Sequence, residues 1–421
     1  MPWIFLVISL VGIVLVLNAF RPVLARRRVL LASFFAGWLT SELALQIGAV
    51  QGLFLLGWIA VGALAAWPGW VALGATLGSW VGLGLLHRRA LGAQGAVETA
   101  LGEGLGLDYE EEIHPSLVRK EPEGLDWRRL AMPFPIRHPE VEVVRHVRYH
   151  SADGIELHLD VWRHRRRPSG CPTLLYIHGG GWMIGDKEHQ GLPLMQYLAA
   201  RGWVCFGIDY RLSPRATFPD HLVDVKRAIR WVREEGAQYG ADPAFLVVAG
   251  GSAGGHLAAL AALTAGDTLY QPGFETVDTS VAGCIGFYGV YDFMDRYGHW
   301  PSDGLQRLLE RYVMKSRRDE DPLAWERASP MSRVHAEAPP FFLVHGDCDN
   351  LVPVAEARRF AETLRTSSQA PVVYAEIPGG HHAFEVFPSP RSELVLRGIG
   401  RFGDWLYSRY LARQAVRSAS G

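Results

Sequence analysis

Hydrophobic and polar positions divide the chain into three materials. Met1 to Phe20 holds an uncharged apolar run of about eighteen residues, long enough to cross a bilayer. From Val29 to Leu86 the chain is again almost wholly apolar, interrupted by Glu42, Gln46, Gln51 and the turn-like WPGW at 67–70. That pattern predicts helices over about 51–67 and 70–86. The stretch 29–48 carries Glu42 within SELALQ, so it either spans with that carboxyl against another helix or lies in the membrane interface. Residues 1–89 therefore read as a transmembrane helical anchor of three or four helices. A cleaved leader is disfavoured, because the positive charge follows the first apolar core instead of preceding it. Arg21, Arg26, Arg27 and Arg28 form that basic cluster, which belongs on the cytoplasmic side. With three spans, His87, Arg88 and Arg89 fall on the same side, and the rest of the chain faces the cytoplasm.

The second material, residues 90–140, reads as a connector and possible cap. AQGAVETALGEGLG suits a short amphipathic helix, and DYEEEIHPSLVRKEPEGLDW is polar, proline-punctuated and without a period. From residue 141 to about 415 strands alternate with helices. VEVVRHVRYH and IELHLDVWRH alternate apolar with polar residues across the SADG turn, an opening antiparallel pair. TLLYIHGG, WVCFGIDY, FLVVAGG, AGCIGFYG, FFLVHGD and VVYAEIPG are short continuous apolar runs, as expected of strands buried on both faces of a parallel sheet. Helix-period segments such as HLVDVKRAIRWVREEGAQYG lie between them. The fold class is α/β, a mostly parallel central sheet flanked by helices, whose reactive groups collect where strands end.

Composition narrows the chemistry. At 421 residues the chain holds an anchor and one large catalytic domain, and its net charge of −1, without a long single-sign block, suggests no nucleic-acid partner. RHRRR at 163–167, before a Pro-Ser-Gly turn, reads as a solvated loop. Cys171, Cys205, Cys284 and Cys348 have no metal spacing. No internal repeat is seen, and the sequence sets no oligomeric state.

Ser252 stands in Gly250-Gly251-Ser252-Ala253-Gly254, a GxSxG pattern at a predicted strand-to-helix junction, which is the context that a nucleophile elbow requires. Amides at the helix start favour negative charge developing near that serine. His178-Gly179-Gly180-Gly181-Trp182 follows another strand, and its glycines let backbone N–H groups approach a substrate closely. Gly180, Gly181 and Ala253 are the expected oxyanion donors. A phosphate loop is excluded by the lack of a following lysine and hydroxyl residue. Trp182 reads as a pocket wall or as a packed aromatic. A hydroxyl needs a base, and the base needs an orienting group. HGDCDNLVP at 345–353 and PGGHHAFEVF at 378–387 each follow a strand, which gives the order serine, acid, histidine. Asp349 is the expected acid, with Asp347 bracing the loop, and His382 is preferred to His381 as base. His345, Asp347, His381 and His382 lack metal-ligand spacing, so neither metal nor organic cofactor is expected.

Together HGGGW, GGSAGG, HGDxDxLVP and GxHHAF resemble the α/β-hydrolase superfamily, specifically hormone-sensitive-lipase-like carboxylesterases. The longer strings GDKEHQGLPLMQYLAARGW, DYRLSPRATFPDHLVDVK and FYGVYDF resemble a membrane-anchored bacterial esterase branch known from mycobacteria. The likeness covers residues 140–410 and, more loosely, the anchor. It implies Ser252 as nucleophile, Asp349 as acid, His382 as base, and Gly180, Gly181 and Ala253 as oxyanion donors. The acid motif departs from the DPLxDEG of many members, which puts substrate preference in doubt. The activity implied is hydrolysis of a small-molecule or lipid ester through an acyl-enzyme. An amide hydrolase and a membrane acyltransferase are the alternatives. Residues 265–280 and 292–330 are expected near the reactive edge, as insertions that cap the site.

Overall fold

A computed structural model describes residues 1–24, 27–119, 124–134 and 136–420. Among the described residues, six α-helices precede the sheet: α1 (Pro2–Phe20), α2 (Arg27–Glu42), α3 (Ala44–Ala60), α4 (Trp67–Leu91), α5 (Ala93–Leu105) and α6 (Trp127–Ala131). The strands are β1 (Val141–Ala152), β2 (Ile155–His164), β3 (Cys171–Ile177), β4 (Val204–Ile208), β5 (Ala241–Gly251), β6 (Gly283–Phe287), β7 (Phe341–Gly346) and β8 (Val372–Ile377). Between and after them come α7 (Leu192–Ala200), α8 (Asp220–Glu235), α9 (Ala253–Leu263), α10 (Gly304–Leu308), α11 (Pro322–Ala328), α12 (Val354–Ser367) and α13 (Pro390–Ser420).

The eight strands form one sheet in the order β1-β2-β4-β3-β5-β6-β7-β8. β1 and β2 pair antiparallel, Ala152 opposite Ile155, around Asp153 and Gly154 at φ of 52° and 72°. Two successive positive φ values are what a two-residue hairpin turn needs to match strand twist. β2 meets β4 antiparallel, and every pairing beyond is parallel. The inner strands are apolar without alternation because both faces are covered. Along β3, Leu175 and Ile177 enter one core with α8 and α9, while Leu174 and Tyr176 enter the other with α7 and α13.

The expected connector includes a core element. Ala93, Val97, Ala100 and Leu101 of α5 are buried in the second core, at the i, i+4, i+7, i+8 spacing of one helix face. The region 292–330 likewise contributes Phe293, Leu309, Val313 and Trp325 to the first core.

Among the described residues, two N-terminal helices, α1 and the continuous α4–α5 stretch Trp67–Leu105, are long and apolar enough to cross a membrane. Residues 29–42 and 44–60 pass the same test together, but bend by 87° at their junction. α1 and α4 run parallel: Trp3 meets Trp67 edge-on, Ser9 bonds Thr76, and Gly82 lies against Val16. The helix before WPGW ends at Ala60, earlier than the apolar pattern predicts, because Gly62 turns left-handed at φ 74° and a short 3₁₀ turn follows. Of the basic cluster, Arg26 and the side chains of Arg27 and Arg28 lie outside the described residues.

Candidate active site

β5 ends at Gly251, α9 begins at Ala253, and Ser252 occupies the bend at φ 57°, ψ −119°. For a residue with a side chain this is a strained conformation, held here by what surrounds it. Ser252 N donates to Phe287 O at 2.9 Å, and its own carbonyl accepts from His256 N at 3.0 Å. The flanking glycines answer a space requirement: a Cβ on Gly250 would fall 2.3 Å from Gly254 O, and one on Gly254 would fall 2.0 Å from Ile177 O.

The glycine loop after β3 approaches this bend. Gly179 lies so close that an added Cβ would stand 3.2 Å from Ser252 Cβ. Gly180 has φ of 114°, and its carbonyl accepts from Met183 and Ile184. Among the described residues, the Gly180 and Gly181 amides donate to no protein acceptor, and the Ala253 amide opens α9, where a helix leaves its N–H groups unpaired. Trp182 has the surroundings of a packed aromatic. It is buried, its Nε1 donates to His256 Nδ1 at 3.2 Å, and it packs edge-on against Phe293, so it belongs to the core beneath the loop.

Asp349 and His382 are brought together from loops 33 residues apart, Nδ1 of the imidazole donating to Asp349 Oδ2 at 2.6 Å. This bond leaves Nε2 as the basic nitrogen. Asp349 Oδ1 accepts from the amides of Leu351 and Val352 at 2.8 and 2.9 Å, and His345 Nε2 lies 3.2 Å from Oδ2. Burial alone would raise the pKa of Asp349. The two imidazoles outweigh it and hold the carboxyl well below the usual range. Asp347 points elsewhere: it accepts from Gly379 N at 2.7 Å and pairs with Arg89 of α4 at 2.7 Å. His381 also turns away, its Nε2 donating to Ala19 O of α1 at 3.0 Å. Burial pushes its pKa down to about 4, so it is neutral near pH 7. Among the described residues, no group of three or more His, Cys, Asp or Glu side chains is placed to hold a metal ion.

Two site residues escaped the sequence reading. Tyr288, the first residue beyond β6, packs its ring 4.4 Å from that of His382, with its hydroxyl near Gly251 and donating to Glu385. Parallel pairing of β5 with β6, Gly251 opposite Phe287, is the signal that places Tyr288 beside the bend. Burial raises Glu385 to about 7.

Comparison with known proteins finds esterases. The BD-FAE family model matches residues 159–364. A probable carboxylic ester hydrolase of Mycobacterium tuberculosis, LipM, is 40% identical over 424 residues, covering 96% of this chain and 93% of its own. Esterase LipQ of the same organism is 45% identical over 269 residues, 63% of each chain. Among solved structures, a butyrate-bound esterase from Thermogutta terrifontis is similar at 27% identity and a TM-score of 0.51, covering 65% of this chain and 94% of its own.

Proposed function

The chain belongs to the hormone-sensitive-lipase-like α/β-hydrolase carboxylesterases and is a carboxylic ester hydrolase, and from that premise we propose that Ser252, Asp349 and His382 are its triad. The single observation that carries the assignment is the 2.6 Å bond from His382 Nδ1 to a buried Asp349, formed at the same sheet edge as a serine on a strained elbow. His382 Nε2 takes the proton from Ser252 Oγ as the oxygen attacks the ester carbonyl, and Asp349 holds the tautomer and stabilises the imidazolium. The amides of Gly180, Gly181 and Ala253 receive the oxyanion. His382 then protonates the departing alcohol, and water releases the acyl group by the same steps reversed. The amide-hydrolase and acyltransferase alternatives are not favoured by the relatives, which are named as esterases.

The N-terminal helices supply the bilayer attachment in this reading, supported by the exposed apolar residues of α1, among them Val7, Val14 and Leu17. α1 and α4 both end at the catalytic domain, which places Arg21 and Arg89 on one side and favours the cytoplasm. The substrate is then a short- or medium-chain ester, drawn from the bilayer or its surface.

Fluorophosphonate labelling and hydrolysis of p-nitrophenyl butyrate by the full chain test the triad. Ser252→Ala abolishes labelling. His382→Gln lowers kcat by about 10⁴ to 10⁶-fold, far more than His381→Gln. Asp349→Asn costs about 10⁴-fold and outranks Asp347→Asn. Labelling that survives in Ser252→Ala, or equal losses within either pair, moves the site elsewhere.

A further inference from the structure

A helical tether needs only a linker to the enzyme it carries. Here the contact between the two is polar and lands on both loops that carry the acid and the base. Ala19 and Phe20 end α1, where a helix leaves its last carbonyls without intrahelical partners. Ala19 O accepts from His381 Nε2 at 3.0 Å, and Phe20 O faces Cys348 Sγ at 3.9 Å. Val23 O and Leu30 O accept from Asn350 Nδ2 at 3.1 and 3.4 Å. These donors flank the reacting residues: His381 precedes His382, while Cys348 and Asn350 bracket Asp349. The last contact is aromatic. Phe34 of α2, 6% exposed, meets the His382 ring edge-on with centroids 6.1 Å apart. The imidazole therefore packs against one ring from the catalytic fold, Tyr288, and one from the anchor, Phe34.

Resting on the triad assignment above, we propose that the facing ends of α1 and α2 are a positioning element of the catalytic site. Phe34 holds the His382 ring, and the carbonyls of Ala19, Val23 and Leu30 hold the loops on either side of it, so that the anchor serves turnover as well as attachment. The physical reason lies in the partners. Separation of the two regions strands buried donors on the catalytic loops and buried acceptors on the anchor together, so neither side relaxes without the other. A displacement of about 1 Å at a reacting group is enough to cost about a hundredfold in rate. Gly37 shows how close the fit is: a Cβ there would lie 2.5 Å from His381 Cε1.

The test uses the full chain in detergent or lipid nanodiscs with p-nitrophenyl acetate, a small soluble ester that has no need of the bilayer. Phe34→Ala should lower kcat about tenfold to a hundredfold with KM changed by less than about twofold, and Phe34→Leu should recover most of the loss. Gly37→Ala, which favours the helix, should reproduce the kcat loss by displacing His381, and so keeps the test open if Phe34→Ala does not fold. Leu53→Ala, at an exposed position of α3, should leave both constants unchanged. A rise in KM alone for Phe34→Ala would make the ring a substrate wall and overturn the proposal. Unchanged kcat in Gly37→Ala would overturn it too. Failure of the triad reading shows separately, as turnover or labelling that persists in Ser252→Ala.

Discussion

α1 and α8 show what each region of the molecule asks of its surroundings. α8 buries Leu222, Val225, Ala228, Ile229 and Val232 completely and gives its other face to arginines and glutamates. α1 is apolar around its whole circumference, and Val7, Val14 and Leu17 are each at least 60% exposed. A helix hydrophobic on all sides and unburied by its own protein needs an apolar solvent, whereas a helix with one apolar stripe needs water on the other side. In the membrane reading proposed above the two regions meet different media, and the polar seam between them is where each departs from its own rule. The catalytic loops donate into the anchor, and the anchor buries a carboxylate in the catalytic domain.

That carboxylate gives the largest expected effect on stability. Glu42 pairs with Arg391 and accepts from Ser389 Oγ at 2.7 Å, the side chains of both charged partners fully buried. Glu42→Ala leaves a buried guanidinium unpaired and should destabilise the full chain by about 3–5 kcal/mol, read as a fall in the thermal or denaturant midpoint. The double variant Glu42→Leu with Arg391→Met, which removes both charges, should recover most of it. If the single and double variants are equally unstable, the seam is held by packing and the comparison loses its polar exception.

Next in size is a charge on the face that meets lipid in the proposed membrane reading. Leu10 sits mid-helix in α1, 48% exposed. Leu10→Asp should cost about 2.5–3.5 kcal/mol of insertion and shift the chain out of the membrane fraction, while leaving an α8 surface position such as Arg230 open to the same residue at little cost. Retention of Leu10→Asp in the membrane at the wild-type level would mean that α1 is not lipid-facing.

Much of the catalytic half was legible because its signals are local. Continuous apolar runs gave β3 to β8, and the GxSxG pattern placed Ser252 between β5 and α9, since strand, bend and helix are contiguous in the chain. The choice of Asp349 over Asp347 rested on its place in the loop, with Asp347 nearer the strand end, and the structure gives its physical content: one carboxylate faces His382, the other Gly379 and Arg89. The seam was illegible for the opposite reason. Glu42 and Arg391 lie 349 residues apart, and no period in SELALQ says that its carboxyl turns to the catalytic domain instead of to a helix or a headgroup. The 87° bend after Glu42 falls at the same place, in a stretch that contains no proline. α5 was legible as a short amphipathic helix but its place in the core was not, because a four-residue apolar face in AQGAVETALGEGLG means little until β8 and α13 are present to receive it.

The smallest effect at neutral pH belongs to His381, the titratable group on the seam itself. Its ring is buried against Ala19 and Gly37, and burial lowers its pKa from 6.5 to about 4. Above pH 6.5 the imidazole is neutral whether the chain is folded or unfolded, so it adds no pH dependence there. Between 6.5 and about 4 the unfolded chain binds a proton that the folded one refuses, so its contribution to stability is lost progressively as acid is added and levels off below about 4. Glu385, raised to about 7 by burial, acts in the other sense, since the folded chain is the one that holds that proton between 4.5 and 7. A bare pH profile mixes the two, and the comparison with His381→Asn separates them: an amide can still donate to the Ala19 carbonyl but does not titrate. Thermal midpoints of the two proteins should agree at pH 7.5, and the wild type should fall further than the variant as the pH drops to 4.5. Parallel curves would remove His381 as the source of acid sensitivity.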